Sequence, residues 1–224
     1  MTNTQADIVL FGVRSPLTPD YEESCARAGR RIAAAVNISD APPRLLDRGP
    51  LIELDALETA HRDAACIVCA FHPARRRELV AAACDAGLRA DGPLVDPTAV
   101  VASSTRIGAG TYINAACVIG AMGMIGENVL INRGCNLGHH ALLDDFATIG
   151  PGVTMAGNVR IGEASIVGAG STILPGVAIG ANALVAAGSV VRRDVPDDTF
   201  VAGSPAVEKP FDAARSSLNI EGQE

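Results

Sequence analysis

Four histidines occur in the chain, at positions 61, 72, 139 and 140, and the last two stand side by side. An imidazole, with an ordinary pKa of about 6.5, can take a proton from an amine or hydroxyl as that group attacks an acyl carbon. His139 and His140 are therefore candidate catalytic residues. A zinc centre needs three or four ligands, adjacent histidines diverge, and no third one lies nearby, so no metal is expected. Serine and cysteine nucleophiles are absent from this stretch except for Cys135, which falls at a buried position. Direct transfer is thus favoured over a covalent intermediate. Eighteen residues after His139 comes Gly157, in Met155-Ala156-Gly157-Asn158. A bare backbone N–H there could hold the oxyanion of a tetrahedral intermediate.

Eighteen is the relevant spacing because of a repeat. Every sixth residue from Val95 to Val191 is aliphatic, seventeen positions without a slip. Four residues after each comes a small or β-branched side chain, such as Ala99, Thr111, Cys117 or Ser165. The residue directly after the aliphatic is Gly at 108, 120, 126, 138, 150, 162, 168 and 180. A six-residue extended segment cannot bury an apolar face alone and must stack on copies of itself, which makes this a parallel β-helix. With three hexads per turn, residues eighteen apart sit in one column, about 4.8 Å from coil to coil. The aliphatics point inward, each contributing about 1.5–3 kcal/mol on burial. Glycine is expected where the backbone turns and a Cβ would clash.

Upstream, the pattern changes to alternating strands and helices. Asp7–Val13 reads as a strand ending at Gly12, and Thr18 as the N-cap of a helix that has Pro19 first and runs to about Ala28. Ile32–Val36 and Ala65–Ala70 are two further strands, and Pro73 to Ala86 a helix closed by Gly87. This implies a small parallel α/β unit, too short for a full dinucleotide fold. Its first strand leads through Gly12, Arg14 and Ser15, which could hold an anion, although the G-x-G-x-x-G spacing is missing. Phe71-His72-Pro73-Ala74-Arg75-Arg76 falls at the corresponding edge after the third strand, where ligands of open α/β sheets bind. Cys66-x-x-Cys69 lies in an apolar run with no second pair and reads as core. The expected fold is an N-terminal α/β domain (a Rossmann-like half, 1–93), a β-helix (94–195), and a C-terminal cap and polar tail (196–224).

Composition narrows the partners. The 224 residues carry a net charge of −7 with 3% aromatics and no Trp, and the sole basic cluster is Arg75-Arg76-Arg77, which argues against nucleic acid. No apolar run is long enough for a membrane span, and the first residues lack the features of a signal peptide. With six scattered cysteines, a reducing cytoplasm is the expected location.

The residues that carry a resemblance run from Asn132-Arg133-Gly134-Cys135-Asn136-Leu137-Gly138-His139-His140, through Ile149-Gly150-Pro151-Gly152 and Met155–Gly162, to Val201-Ala202-Gly203-Ser204-Pro205-Ala206. With the preceding α/β unit, the chain resembles the hexapeptide-repeat acyltransferases. It is most similar to their sialic-acid O-acetyltransferase and bacillosamine-type amino-sugar N-acetyltransferase branch. The resemblance implies a left-handed coil, His139 as general base, Asn132 beside the acceptor, and the Gly157 amide at the thioester carbonyl. It also implies acetyl-CoA in the groove between subunits of a homotrimer, near Gly168, Ala187, Gly188 and the Gly203–Pro205 loop. Five positions depart from the family pattern. His140 stands where Asp or Glu follows the base, and Thr148 replaces a second histidine. Gly12-Val13-Arg14-Ser15-Pro16 replaces a glycine-rich loop, Asn37 the acidic residue after the second strand, and Asp96 a histidine ahead of the first hexad proline.

Four readings follow. The first is acetyl-CoA-dependent N-acetylation of a nucleotide-linked amino sugar, with Gly12, Arg14, Ser15, Asn37, His72 and Arg76 on the substrate. The second is O-acetylation of a sugar or sialic-acid-like hydroxyl. The third is a non-catalytic β-helix that binds sugar or nucleotide, and the fourth a metal-dependent hydratase, disfavoured by the histidine count.

Overall fold

The computed structural model describes residues 7–40, 42–46 and 48–210; the first residues and the polar tail lie outside it. The apolar run Ile8–Phe11 forms β1, buried throughout. It pairs in parallel with β2 (Ile32–Asn37), and β3 (Leu51–Glu53) and β4 (Ala65–Val68) complete a sheet of order β3-β2-β1-β4. The strand β3 had no signal in the sequence, being three residues long with two of them exposed. Between β1 and β2 runs α1 (Thr18–Arg27); α2 (Thr59–Arg62) is a single turn, and α3 (Pro73–Asp85) follows β4. Thr18 is not the N-cap of α1. Leu17 occupies that position, and the Thr18 hydroxyl donates to the Ser15 carbonyl at 2.8 Å. Cys66 and Cys69 are core residues, and burial pushes the Cys66 thiol up to about 12, as suits an inert side chain.

The coil starts with β5 (Leu94–Val95) and ends with β21 (Val190–Val191), one two-residue strand for each of the seventeen hexads. In every strand the second residue is the aliphatic of the repeat, so the sixfold register predicts the strand positions to the residue. Strands eighteen apart pair in parallel and build the three faces of a left-handed β-helix. The inward aliphatics from Ile113 to Val191 form one core. The hexad glycines stand where a Cβ would clash, as expected, but the backbone is not left-handed there. None has a positive φ among those at 108, 120, 126, 138, 150, 162, 168 and 180. They are glycine because a Cβ would run into the next coil, as at Gly138, where it would stand 2.5 Å from the Ala156 carbonyl carbon. The left-handed residue comes two positions later, for example Asn128 (φ 52°), His140 (φ 57°) and Asn182 (φ 53°). Beyond the coil, β22 (Phe200–Gly203) continues one face and turns back through Ser204-Pro205 into antiparallel β23 (Ala206–Lys209).

The α/β unit lies against one face of the prism. Outward residues Leu94, Tyr112 and Leu130 of that face join Ile8, Leu10, Tyr21 and Ile67 in a shared core, and Tyr21 stacks on Tyr112 with centroids 4.0 Å apart. Farther along, Ile166, Leu184 and Phe200 pack against Phe71. On the other two faces Val100, Val118 and Met124 are exposed.

Asp96 clamps the start of the coil to α1. Its carboxylate is buried, and it accepts from Ser24 Oγ at 2.6 Å, Arg27 Nε at 2.8 Å, and both the amide and the hydroxyl of Thr98 at 3.0 and 2.6 Å. Burial alone would raise its pKa, but the bonds from Arg27, Ser24 and Thr98 prevail and hold the carboxyl well below the usual range. A carboxyl whose folded pKa is depressed adds stability that is fully present above its unfolded value, about 4, and lost as pH falls toward the folded one. Asp96→Asn is therefore expected to lower Tm at neutral pH and to flatten the acid limb of a Tm-against-pH curve below about pH 4. An unchanged acid limb would exclude this carboxylate as its source.

Candidate active site

The geometry follows from which corner of the prism each residue occupies. His139 and His140 sit at the corner that follows the strand Asn136–Leu137, and Gly157 lies one coil on at the same corner. The His139 carbonyl accepts the Asn158 amide at 2.9 Å, locking the two coils in register. The imidazole of His139 covers Gly157 so closely that a Cβ added there would stand 2.5 Å from both Cε1 and Nε2. Among the described residues no acceptor meets the Gly157 amide, while its carbonyl takes the Gly176 amide at 3.0 Å. The sequence column thus brings together an exposed imidazole and an open amide. It also reveals a second reason for glycine at 157, the space that the ring fills. Gly157→Ala is expected to displace the imidazole and to lower activity at least about ten-fold without unfolding the coil, measured as kcat alongside circular dichroism.

The remaining side of His139 is occupied by its neighbour. Nδ1 of His139 lies 3.0 Å from Nδ1 of His140, with the two rings at 89°. Among the described residues, no carboxylate takes that place.

The other candidates fall at different places. Asn132 follows the strand Leu130–Ile131 and so stands at the preceding corner, one face away from His139. One chain does not set the two side by side. Asn132 is buried; its Oδ1 accepts from Asn114 Nδ2 at 3.1 Å, and that same amide reaches Asp20 Oδ2 at 3.3 Å. Gly168, Ala187, Gly188 and the Gly203–Pro205 turn stack along Asn132's corner, with Gly168 directly against the Ala187 amide. Ala187, Gly188, Gly203 and Pro205 are exposed, and at Gly188 a Cβ would meet nothing within 4 Å. This corner is an open ledge of small residues.

At the carboxyl end of β1, Gly12 turns with φ 77° and approaches Leu79. A pocket there is lined by Gly12, Arg14, Ser15, Ile38 and Arg75 among others. Arg14 Nη1 donates to Ser39 Oγ at 3.2 Å. Asn37 donates from Nδ2 to the Ser39 carbonyl at 2.7 Å, and its buried Oδ1 has no partner among the described residues. Of the two arginines that the sequence places at this edge, Arg75 lines the pocket, whereas Arg76 is the one expected on the substrate.

Arg76 is a correction. It is buried, and its guanidinium donates to the carbonyls of Ala70, Phe71, Asn128, Phe146 and Ala147 and to the Thr148 hydroxyl, at 2.6–3.1 Å. It ties α3 to the coil and is not free to hold a substrate. Thr148 is part of the same knot, donating to the Phe71 carbonyl at 3.0 Å. Arg77 lies over the Phe146 ring, 4.8 Å from its centroid. His72 is the N-cap of α3, its Nδ1 accepting from the Ala74 amide at 3.3 Å.

A family model described as bacterial transferase hexapeptide (six repeats) matches residues 158–193. Perosamine N-acetyltransferase from Caulobacter crescentus, solved as a His-to-Asn mutant in complex with CoA and GDP-perosamine, is 30% identical with a TM-score of 0.82, over 92% of this chain and 98% of that one. The chain belongs to the hexapeptide-repeat sugar acetyltransferases. Another member of this family, the acetyltransferase domain of PglB from Neisseria gonorrhoeae FA1090 in complex with acetyl coenzyme A, is 27% identical with a TM-score of 0.81, over 92% of this chain and 100% of that one. WeeI from Acinetobacter baumannii AYE shares the fold at 21% identity and a TM-score of 0.74, over 91% of this chain and 99% of that one. No curated protein matches the chain in sequence. Among the described residues, no group of three or more His, Cys, Asp or Glu is placed to hold a metal, and no helix is long and apolar enough to cross a membrane.

Proposed function

We propose that this protein transfers the acetyl group of acetyl-CoA to the amino group of a nucleotide-linked sugar, with His139 as general base. The carrying observation is the His139 imidazole packed over Gly157, whose amide N–H is open. In this reaction the acceptor amine attacks the thioester carbonyl carbon as His139 Nε2 removes the amine proton. The Gly157 amide holds the resulting oxyanion. Collapse breaks the C–S bond, and the departing thiolate recovers the proton from the imidazolium, so CoA leaves as the free thiol.

The substrate assignment draws on two further features. Relatives are solved with CoA and GDP-perosamine, or with acetyl coenzyme A. The pocket beside β1 is lined by Arg14, Ser15 and Arg75, groups suited to a diphosphate.

The site is completed by a second copy of the chain in a homotrimer. The small-residue ledge and Asn132 occupy one corner of a protomer, and the base occupies the next. Corner-to-corner docking brings one protomer's ledge, suited to the pantetheine arm, to its neighbour's His139. Exposed Val100, Val118, Met122 and Met124, in the coils preceding His139, supply apolar surface for that contact.

A thiol-release assay with acetyl-CoA and a panel of nucleotide-linked amino sugars, with hydroxyl-only sugars alongside, tests the reaction. Release with amino sugars alone is expected. Preference for a hydroxyl acceptor would establish O-acetylation, and no release from any member would remove the catalytic reading. Light scattering should return three times the chain mass.

A further inference from the structure

The geometry points to His140 as the positioning residue that fixes the tautomer of His139, in place of a carboxylate. The inference rests on His139 being the base. Two Nδ1 atoms 3.0 Å apart bond only if one carries a hydrogen and the other a lone pair. A base acting through Nε2 needs its lone pair there, so His139 must carry its hydrogen on Nδ1 and donate it. His140 then accepts through Nδ1 and keeps its own hydrogen on Nε2. The opposite assignment puts the hydrogen of His139 on Nε2, against Gly157, and disables the base.

Within the chain, the residues stacked around this corner leave the task to His140. The coils stacked on this corner contribute Ala121 and Met122 on one side and Gly157 and Asn158 on the other, none of them ionisable. The backbone aims the ring: His140 has φ 57°, at the hexad position where the chain turns the corner, and its amide is held by the Ala121 carbonyl at 2.9 Å. When His139 accepts the substrate proton it becomes an imidazolium, and a neutral imidazole lone pair on Nδ1 stabilises it through a hydrogen bond without neutralising its charge. An imidazole in this role differs from a carboxylate in one further way. Once His140 is itself protonated, both of its nitrogens are donors and His139 Nδ1 must accept, which places the hydrogen on Nε2.

The test reads the tautomer directly and needs no substrate. In the full-length 15N-labelled protein at about pH 8, above the ordinary imidazole value, long-range 1H–15N spectra are expected to show His139 protonated on Nδ1, the form that neutral imidazole ordinarily disfavours. His140→Ala should move that hydrogen to Nε2. The backbone tolerates this substitution, because Ala116 and Ala164 occupy equivalent corners at φ 57° and 55°. His140→Asn, which suits a positive φ and retains an acceptor oxygen, should restore the Nδ1 form. In turnover, His140→Ala should lower kcat at least ten-fold with KM within three-fold, and Asn should recover most of the loss. A wild-type His139 protonated on Nε2, or a tautomer that His140→Ala leaves unchanged, overturns the proposal. Failure of the base reading is a separate result: His139→Ala would then keep its rate whatever the spectra show.

Discussion

His139→Ala is expected to lower kcat for acetyl transfer by at least about 100-fold, with KM for both substrates changed much less. Two roles end together when the imidazole goes. No group remains over Gly157 to take the amine proton, and none remains to give it back to the departing thiolate. The oxyanion site survives the substitution, since Gly157 is held by coil stacking, with Gly176 N–H on its carbonyl. Residual activity should therefore stay above background and rise with pH, as an amine deprotonated by solvent substitutes for base catalysis. The measurement is kcat and KM by thiol release across a pH series. A rate within a few-fold of wild type would remove His139 from the mechanism.

Arg76→Ala is expected to have the largest effect on stability. The substitution strands five backbone carbonyls and the Thr148 hydroxyl where the α/β unit meets the coil, at a residue only 2% exposed. Breaking a buried charged network by removing one partner costs about 3–5 kcal/mol, which for a chain of this size lowers Tm by roughly 10 °C. Arg76→Lys should rescue little of this, because a point-charge ammonium cannot reach carbonyls spread across 70, 71, 128, 146 and 147 as a planar fork does. The coil has its own aliphatic core, so the loss should appear first in the α/β unit, as faster hydrogen exchange in β1 and β4 than in the hexad strands. A Tm within 2–3 °C of wild type, about 1 kcal/mol, would show that the knot is dispensable.

Arg76 also shows where sequence reading stops. In sequence it is one of three consecutive arginines after a strand, indistinguishable from Arg75, which does line the pocket. The helix rotates the two apart by about 100°, and only the position of the coil decides which one is buried. The place of Asn132 shows a related limit. Seven residues separate it from His139, and in most folds that is close. In this coil those residues traverse a full face, so the two stand at successive corners. Thr148 and Asp96, which read as departures from a family pattern, prove to be partners of Arg76 and Arg27 at the contact between the α/β unit and the coil.

What the sequence determined by itself is the coil, its register and the meeting of His139 with Gly157. A sixfold repeat fixes which residue points inward, and three strands per turn fix which residues stack, so local pattern and tertiary position are the same information. What only the tertiary structure decided lies where two different patterns meet. The packing of the α/β unit on one face, the burial of Arg76, the clamp at Asp96 and the turn of the His140 ring toward Nδ1 of His139 depend on contacts between residues with no common period. No spacing along the chain encodes them.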